Sequence, residues 1–253
     1  MAMHQQTLDQ LAELRLNGFK EALILQAQSP SYLHMPFEER LAHLVDSEVI
    51  YRMNKRMKQY LRASKLKYKN SFLTDIEYTV SRNLPRSLIT SLAKNQWIEQ
   101  GHHILITGAT GTGKTYIACA LAHNAISCGY TALYVRISKL LAEIKLVRAD
   151  GSYLAYLKKM TKKKLLILDD FGVSPMDTRD AQELLEVIED RVDMGSLIVT
   201  SQLPVEHWYE YLGNGTIADA VLDRLVHNSY RLNLQGESMR KITSSLNKPD
   251  DSE

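Results

Sequence analysis

Apolar residues recur at helical spacing through residues 5–28, where Leu8, Leu11, Ala12, Leu14, Phe19, Ala22 and Leu23 form roughly one stripe. Gly18 weakens this helix and Ser29-Pro30 ends it. A second helix is expected from Pro36, with Phe37, Leu41, Leu44, Val45, Val49 and Met53 facing inward. Two helices make too small a core by themselves, so this part is expected to pack as a small bundle or on a partner. Residues 70–100 read as a joint, closed by a helix at 87–100 with Leu88, Ile89, Leu92, Ala93 and Trp97 on its inner side. The period then changes. Short apolar runs at 103–107, 131–137, 165–168, 196–202 and 230–234 have the length and composition of strands. Helical patterns at 116–128, 139–147, 178–193, 205–212 and 217–227 separate or follow them. The all-apolar run Leu165-Leu166-Ile167-Leu168 suits a strand buried on both faces. Strands alternating with helices predict an α/β fold with a parallel sheet flanked by helices. The expected organisation is a small all-helical domain at 1–69, an α/β domain at 70–253 and a frayed acidic end at 250–253.

With 253 residues and 45% apolar content the chain can build a substantial core. A net charge of +2 says little about partners, but its distribution says more. Arg52, Lys55, Arg56, Lys58, Arg62, Lys65, Lys67 and Lys69 are concentrated between Glu48 and Asp75 with no acid among them, and Tyr51, Tyr60 and Tyr68 are interleaved. Clustered Lys and Arg neutralise phosphates without reading bases, which makes these residues candidates for binding nucleic acid regardless of sequence. The competing reading is a solvated helix face. Cys119 and Cys128 fall nine apart on opposite faces of one predicted helix, where they can neither bridge nor chelate zinc. Core packing is expected for both, in a reducing compartment. The first ten residues lack an apolar signal core and no apolar run approaches membrane-spanning length, so a cytoplasmic protein without a membrane partner is expected.

The segment Gly108-Ala109-Thr110-Gly111-Thr112-Gly113-Lys114-Thr115 fits G-x-x-x-x-G-K-[ST] between a strand and a helix. Glycines let the backbone turn and bring its amides against an anion, and the following helix aims its positive end there. Lys114 is placed to reach the outer phosphates and the Thr115 hydroxyl to ligate Mg²⁺. Downstream, an apolar strand ends in Asp169-Asp170. Asp169 is the candidate for the Mg²⁺ shell, and Asp170 for orienting or deprotonating an attacking water. The alternative for the pair is a turn or helix cap.

Together with the Leu-x-x-Leu-x-Leu-x-Gly-Phe segment at 11–19, Thr-Ser-Gln-Leu-Pro at 200–204, Asp-Arg-Leu at 223–225 and Gly-Glu-Ser-Met-Arg at 236–240, these motifs make the chain similar to AAA+ ATPases of the IstB-like and DnaC-like group. It most resembles the IstB transposition helpers of bacterial insertion sequences, over nearly its whole length. The resemblance implies an AAA+ P-loop NTPase that hydrolyses ATP, assembles as a homo-oligomer on DNA with ATP sites between subunits, and serves a transposase. It implies that Gln202 is the sensor-1 residue, contacting the γ-phosphate or the water, and that Arg224 is an arginine finger supplied to a neighbour. Arg240 falls where a sensor-2 residue would lie. Arg191 is expected either at an interface or as a helix C-terminal charge. Many AAA+ enzymes carry Glu where this chain has Asp170; the shorter side chain implies slow or partner-dependent turnover. The other readings are a DnaC-type helicase loader, a small-molecule kinase, for which no substrate clamp or lid is visible, and a DNA scaffold insensitive to nucleotide.

Overall fold

The computed structural model describes residues 5–78, 82–192, 194–213 and 215–242. The expected acidic end at 250–253 lies outside the described residues. The chain divides into two compact units, Met1–Gln59 and Tyr60–Glu253. That division precedes the change of composition near residue 70, and a physical reason lies in residues 64–71. Ser64, Leu66 and Ser71 are buried, and the backbone of Lys67 and Tyr68 hydrogen-bonds the Cys119 sulfur.

The first unit contains α1 (Gln5–Glu13), α2 (Asn17–Gln28) and most of α3 (Phe37–Ser64). The single helix expected over 5–28 is broken, with Arg15 at φ 58 between the two pieces. Gly18 does not weaken a helix interior. It opens α2 and lets that helix approach α3, because a Cβ there would lie 2.5 Å from Tyr51 Cβ and 2.6 Å from the Ser47 carbonyl. Glu48 completes the contact by accepting the Phe19 amide at 3.0 Å and Arg52 Nε at 2.6 Å. The inward row expected on α3 is corrected. Leu44 is buried, but Phe37, Leu41, Val45, Val49 and Met53 are 40–69% exposed. Only one face of α3 is covered, the one carrying Leu44, Ser47, Glu48 and Tyr51, and a row spaced by four drifts away from it around the helix.

The second unit adds α4 (Arg86–Leu92), α5 (Gln96–Glu99), β1 (His103–Gly108), α6 (Lys114–Ser127), β2 (Ala132–Arg136), α7 (Ile137–Ala149), α8 (Tyr153–Thr161), β3 (Leu165–Phe171), α9 (Thr178–Glu189), β4 (Ser196–Ser201), α10 (Trp208–Tyr211), α11 (Thr216–Val226), β5 (Ser229–Leu234) and α12 (Met239–Ile242). Among the described residues five strands form one parallel sheet in the order β2-β3-β4-β1-β5. Leu105, Leu166, Leu168, Leu197 and Val199 share a core with α7, α8, α9 and α11. Alternation sends Ile104, Ile106, Ile167 and Ile198, all 0% exposed, to the opposite face. There α6 packs, an all-round apolar helix whose Ile117 to Ala122 run is wholly buried. Cys119 belongs to this core, whereas Cys128 caps the helix and is exposed, contrary to the packing expected for it.

Arg191 takes neither expected role. It is 1% exposed, and its guanidinium donates to the carbonyls of Met160 (2.8 Å), Lys163 (2.9 Å) and Ser196 (3.2 Å), tying the end of α8 to the start of β4. Burial pulls its pKa down to about 10. Arg191→Met is expected to strand these carbonyls and destabilise the second unit by about 2–4 kcal/mol. At this size that is roughly a 5–10 °C fall in Tm, measured by thermal unfolding. An unchanged Tm with impaired self-association would instead make Arg191 interfacial.

Candidate nucleotide-binding site

The loop from Gly108 to Thr115 joins β1 to α6 with Gly108, Gly111 and Gly113 at φ 144, 88 and 96. Gly111 is required by contact as well as by backbone. A Cβ there would sit 2.1 Å from Ser238 Oγ, and its carbonyl accepts the Met239 amide at 2.9 Å. Lys114 is 8% exposed and folds onto the loop, donating to the carbonyls of Gly108 and Ala109 at 2.8 Å each. Burial pulls its ammonium below the usual lysine range, against the opposing pull of Asp169 and Asp170. The Thr112 hydroxyl closes the turn onto Ala109 O at 2.9 Å.

Across the sheet, Asp169 is 0% exposed at the end of β3. Its Oδ1 accepts Thr115 Oγ1 at 2.8 Å and Thr200 Oγ1 at 2.5 Å. Its Oδ2 accepts Tyr134 OH at 2.5 Å and lies 4.0 Å from Lys67 Nζ. Burial, reinforced by the bond to Asp169, pushes the Tyr134 phenol far above its ordinary range, so it stays a donor. Thr115 and Asp169 thus meet as a hydroxyl and a carboxylate, the oxygen donors Mg²⁺ takes beside substrate phosphates. Among the described residues no group of three His, Cys, Asp or Glu gathers to hold a metal alone.

Asp170 follows in a bulge of the β3–β4 ladder, at φ 63. The bulge turns its carboxylate from the sheet to the cavity. Its Oδ2 is 3.5 Å from Arg136 Nε, an exposed pair that contributes little stability. Gln202 accepts Thr110 Oγ1 at 2.7 Å. A cavity of about 480 Å³ is lined by Lys114, Thr115, Asp170, Gln202 and Arg240, together with Tyr68, Ile76 and Tyr116. Arg240 therefore joins the loop.

Arg224 does not. It lies on α11, paired with Glu189 at 2.8 Å and bonded to Ala220 O at 2.9 Å, beside a separate hollow. Among the basic candidates, Lys55, Arg56, Lys58 and Arg62 are exposed on α3, with Arg52 paired to Glu48. Lys65 and Lys69 are exposed beyond its end. Lys67 is exposed as a residue too, but its ammonium lies 4.0 Å from Asp169 Oδ2 and it lines the cavity.

Several site residues carry no motif. Arg82 is 5% exposed and reaches the Thr112 and Glu77 carbonyls. Tyr134 and Arg136 alternate on one face at the carboxyl end of β2. Ligands of open α/β sheets gather at carboxyl strand ends, which is the signal that would have drawn attention to both.

The model of the family described as IstB-like ATP binding protein matches residues 9–247. An insertion sequence ATP-binding protein of Sinorhizobium fredii, y4pL, is 39% identical over 238 residues, covering 93% of this chain and 96% of the relative. The ATP-binding protein of insertion sequence IS1162 from Pseudomonas fluorescens is 43% identical over 202 residues, covering 80% and 87%. Among solved structures, that of the DnaC helicase loader superposes at TM-score 0.54 with 20% identity, over 70% of this chain and 99% of the other. At that identity the likeness speaks for the fold alone.

Tyr134→Phe keeps the ring and removes one of the donors to Asp169. The expected result is about a tenfold rise in the Mg²⁺ concentration needed to support binding of a fluorescent ATP analogue, the loss of one hydrogen bond to a charged group. Binding without Mg²⁺ is expected to stay within twofold. A Mg²⁺ titration followed by anisotropy checks both.

Proposed function

The chain belongs to the IstB-like ATP binding protein family, and from that premise we propose that it is an ATP-hydrolysing, DNA-binding helper of an insertion-sequence transposase, acting in the cytoplasm. The observation that carries the ATP site is the meeting of Thr115 and Asp169 at 2.8 Å beside Lys114. Two motifs far apart in sequence converge there on one cavity large enough for a nucleotide.

In this reading the loop amides from Gly111 to Thr115 cradle the phosphates, aided by the positive end of α6. Lys114 exchanges its bonds to Gly108 O and Ala109 O for phosphate oxygens. Thr115 and Asp169 hold Mg²⁺, which when bound neutralises charge developing on the phosphoryl oxygens. Asp170, at the cavity wall, accepts a proton from water as the water oxygen bonds to the γ-phosphorus and the bond to ADP breaks. Gln202 orients that water. Arg224, exchanging Glu189 for a neighbour's site, supplies the remaining positive charge in trans.

The α3 residues Arg52, Lys55, Arg56, Lys58 and Arg62, which span about half the helix circumference, supply a phosphate-binding surface, extended by Lys65 and Lys69. ATP promotes assembly on duplex DNA, the assembly recruits the transposase, and hydrolysis releases it. The names of the relatives favour this client over a helicase, for which the structural likeness offers the fold only.

Lys114→Ala is expected to lose ATP binding and Asp170→Asn to keep binding while ATPase turnover, read by phosphate release, falls at least a hundredfold. Transfer of phosphate to a metabolite instead of water would overturn the reading. In salt titrations of duplex DNA affinity, the Lys55/Arg56/Lys58 triple alanine is expected to lower the slope of log K against log salt by about 3. Arg224→Ala and Lys114→Ala proteins, each inactive, are expected to recover ATPase when mixed, because one intact loop then meets one intact arginine. No recovery would argue against a shared site.

A further inference from the structure

We propose that Lys67 belongs to the nucleotide site, where it reports whether a γ-phosphate is present, and that it is not one of the DNA-contacting lysines. The inference rests on the reading of the cavity as an ATP site.

Three observations place it there. Its Nζ lies 4.0 Å from Asp169 Oδ2, with its side chain 27% exposed and that of Asp169 fully enclosed. It lines the same cavity as Lys114, Thr115 and Asp170. Its backbone is anchored to α6, the helix that the phosphate loop opens. The Cys119 sulfur takes hydrogen bonds from the backbone of Tyr68 and Lys67, the Tyr68 ring packs 5.9 Å from Tyr116, and Ser71 Oγ holds Tyr68 O at 2.9 Å. A lysine reaching for DNA would have to leave a carboxylate without solvent contact, taking away one of the cations, Lys114 among them, whose charge acts on it.

The same position suits a reporter. A buried carboxylate needs a cation nearby, and Lys67 provides one on the Oδ2 side while Thr115 and Thr200 occupy Oδ1. A triphosphate entering the cavity brings a stronger anion within reach of the compact ammonium on its flexible stem. ADP lacks the outermost phosphate and leaves Lys67 on Asp169. Lys67 also stands three residues after Ser64, the end of the basic helix α3, with Lys65 at φ 55 and Leu66 buried between them.

The test uses the full chain and two variants, Lys67→Met and Lys67→Arg. Affinities for a non-hydrolysable fluorescent ATP analogue and for ADP are measured with Mg²⁺, and duplex DNA affinity is titrated with salt in saturating analogue. The preference for the analogue over ADP is expected to shrink at least tenfold in Lys67→Met and at least threefold in Lys67→Arg, whose planar fork does not replace a point charge. The salt slope is expected to match wild type. A slope lowered by about 0.9 would mean that a DNA phosphate contact was lost, and would overturn the proposal whatever the nucleotide preference does. An unchanged preference would reduce Lys67 to a counter-ion of Asp169 and overturn it equally. If Lys67→Met does not fold, Lys67→Arg carries the same two readouts. Wild type and Lys114→Ala serve as controls: if the loop lysine makes no difference to analogue binding, the ATP reading itself fails, whereas Lys114-dependent binding with an indifferent Lys67 sinks only this inference.

Discussion

A carboxylate with no access to water is expensive unless its oxygens are filled, and Asp169 is filled from four separate places in the chain. Thr115 comes from the start of α6, Thr200 from β4, Tyr134 from β2, and Lys67 from the segment after α3. Each donor reaches its oxygen only if its own element is in register, so the enclosed charge makes the sheet order and the loop conformation depend on one another. The same demand explains why the phosphate loop and the aspartate pair work as one site. Lys114, donating to two loop carbonyls, stays close enough to Asp169 and Asp170 to feel both.

The strand order makes the convergence possible. β4 lies between β1 and β3, so the loop that follows β1 and the acids that end β3 face each other across one strand; Thr200 of that strand holds Asp169, and Thr115 of the loop reaches the same oxygen. At this point the β3–β4 ladder loses register and Asp170 adopts a left-handed backbone. Strain of this kind is tolerated where the surroundings over-determine it, as the Asp170 amide on Thr200 Oγ1 at 3.3 Å helps to do here. The outcome is two neighbouring carboxylates with different surroundings, one enclosed and one about a third exposed to the cavity.

The first unit follows a different economy. A glycine contact, a carboxylate capping a helix start, and Gln26 donating to Arg40 O at 2.9 Å hold α2 against α3. Polar bonds carry this contact because the unit buries few apolar side chains, and the row from Phe37 to Met53 remains exposed on α3. In a unit of this size that row is apolar surface without a covering layer.

The strands, most of the helices of the second unit and the two motifs of the site were legible from the chain itself, because period and loop chemistry are local properties. Gly113-Lys114-Thr115 after an apolar run, and Asp169-Asp170 after another, need only neighbours along the chain to be recognised. Leu165 to Leu168 likewise declared a strand buried on both faces. What remained hidden depends on which elements meet. Tyr134 and Arg82 look like ordinary residues until the fold sets the first against Asp169 and the second at the cavity wall. Arg191 reads as an interfacial or helix-terminal charge until three carbonyls surround it. Lys67 is indistinguishable from its basic neighbours in a linear pattern, and only its approach to a buried carboxylate separates it from them. Periodicity marked the row from Phe37 to Met53 as the inner side of α3, but the covered face is decided by where a second helix can come close, at Gly18. Local sequence therefore determined the elements and the phosphate-binding chemistry, while the tertiary structure decided the company of each charge, since a charge takes its role from the oxygens and nitrogens within a few ångströms and not from its place in the chain.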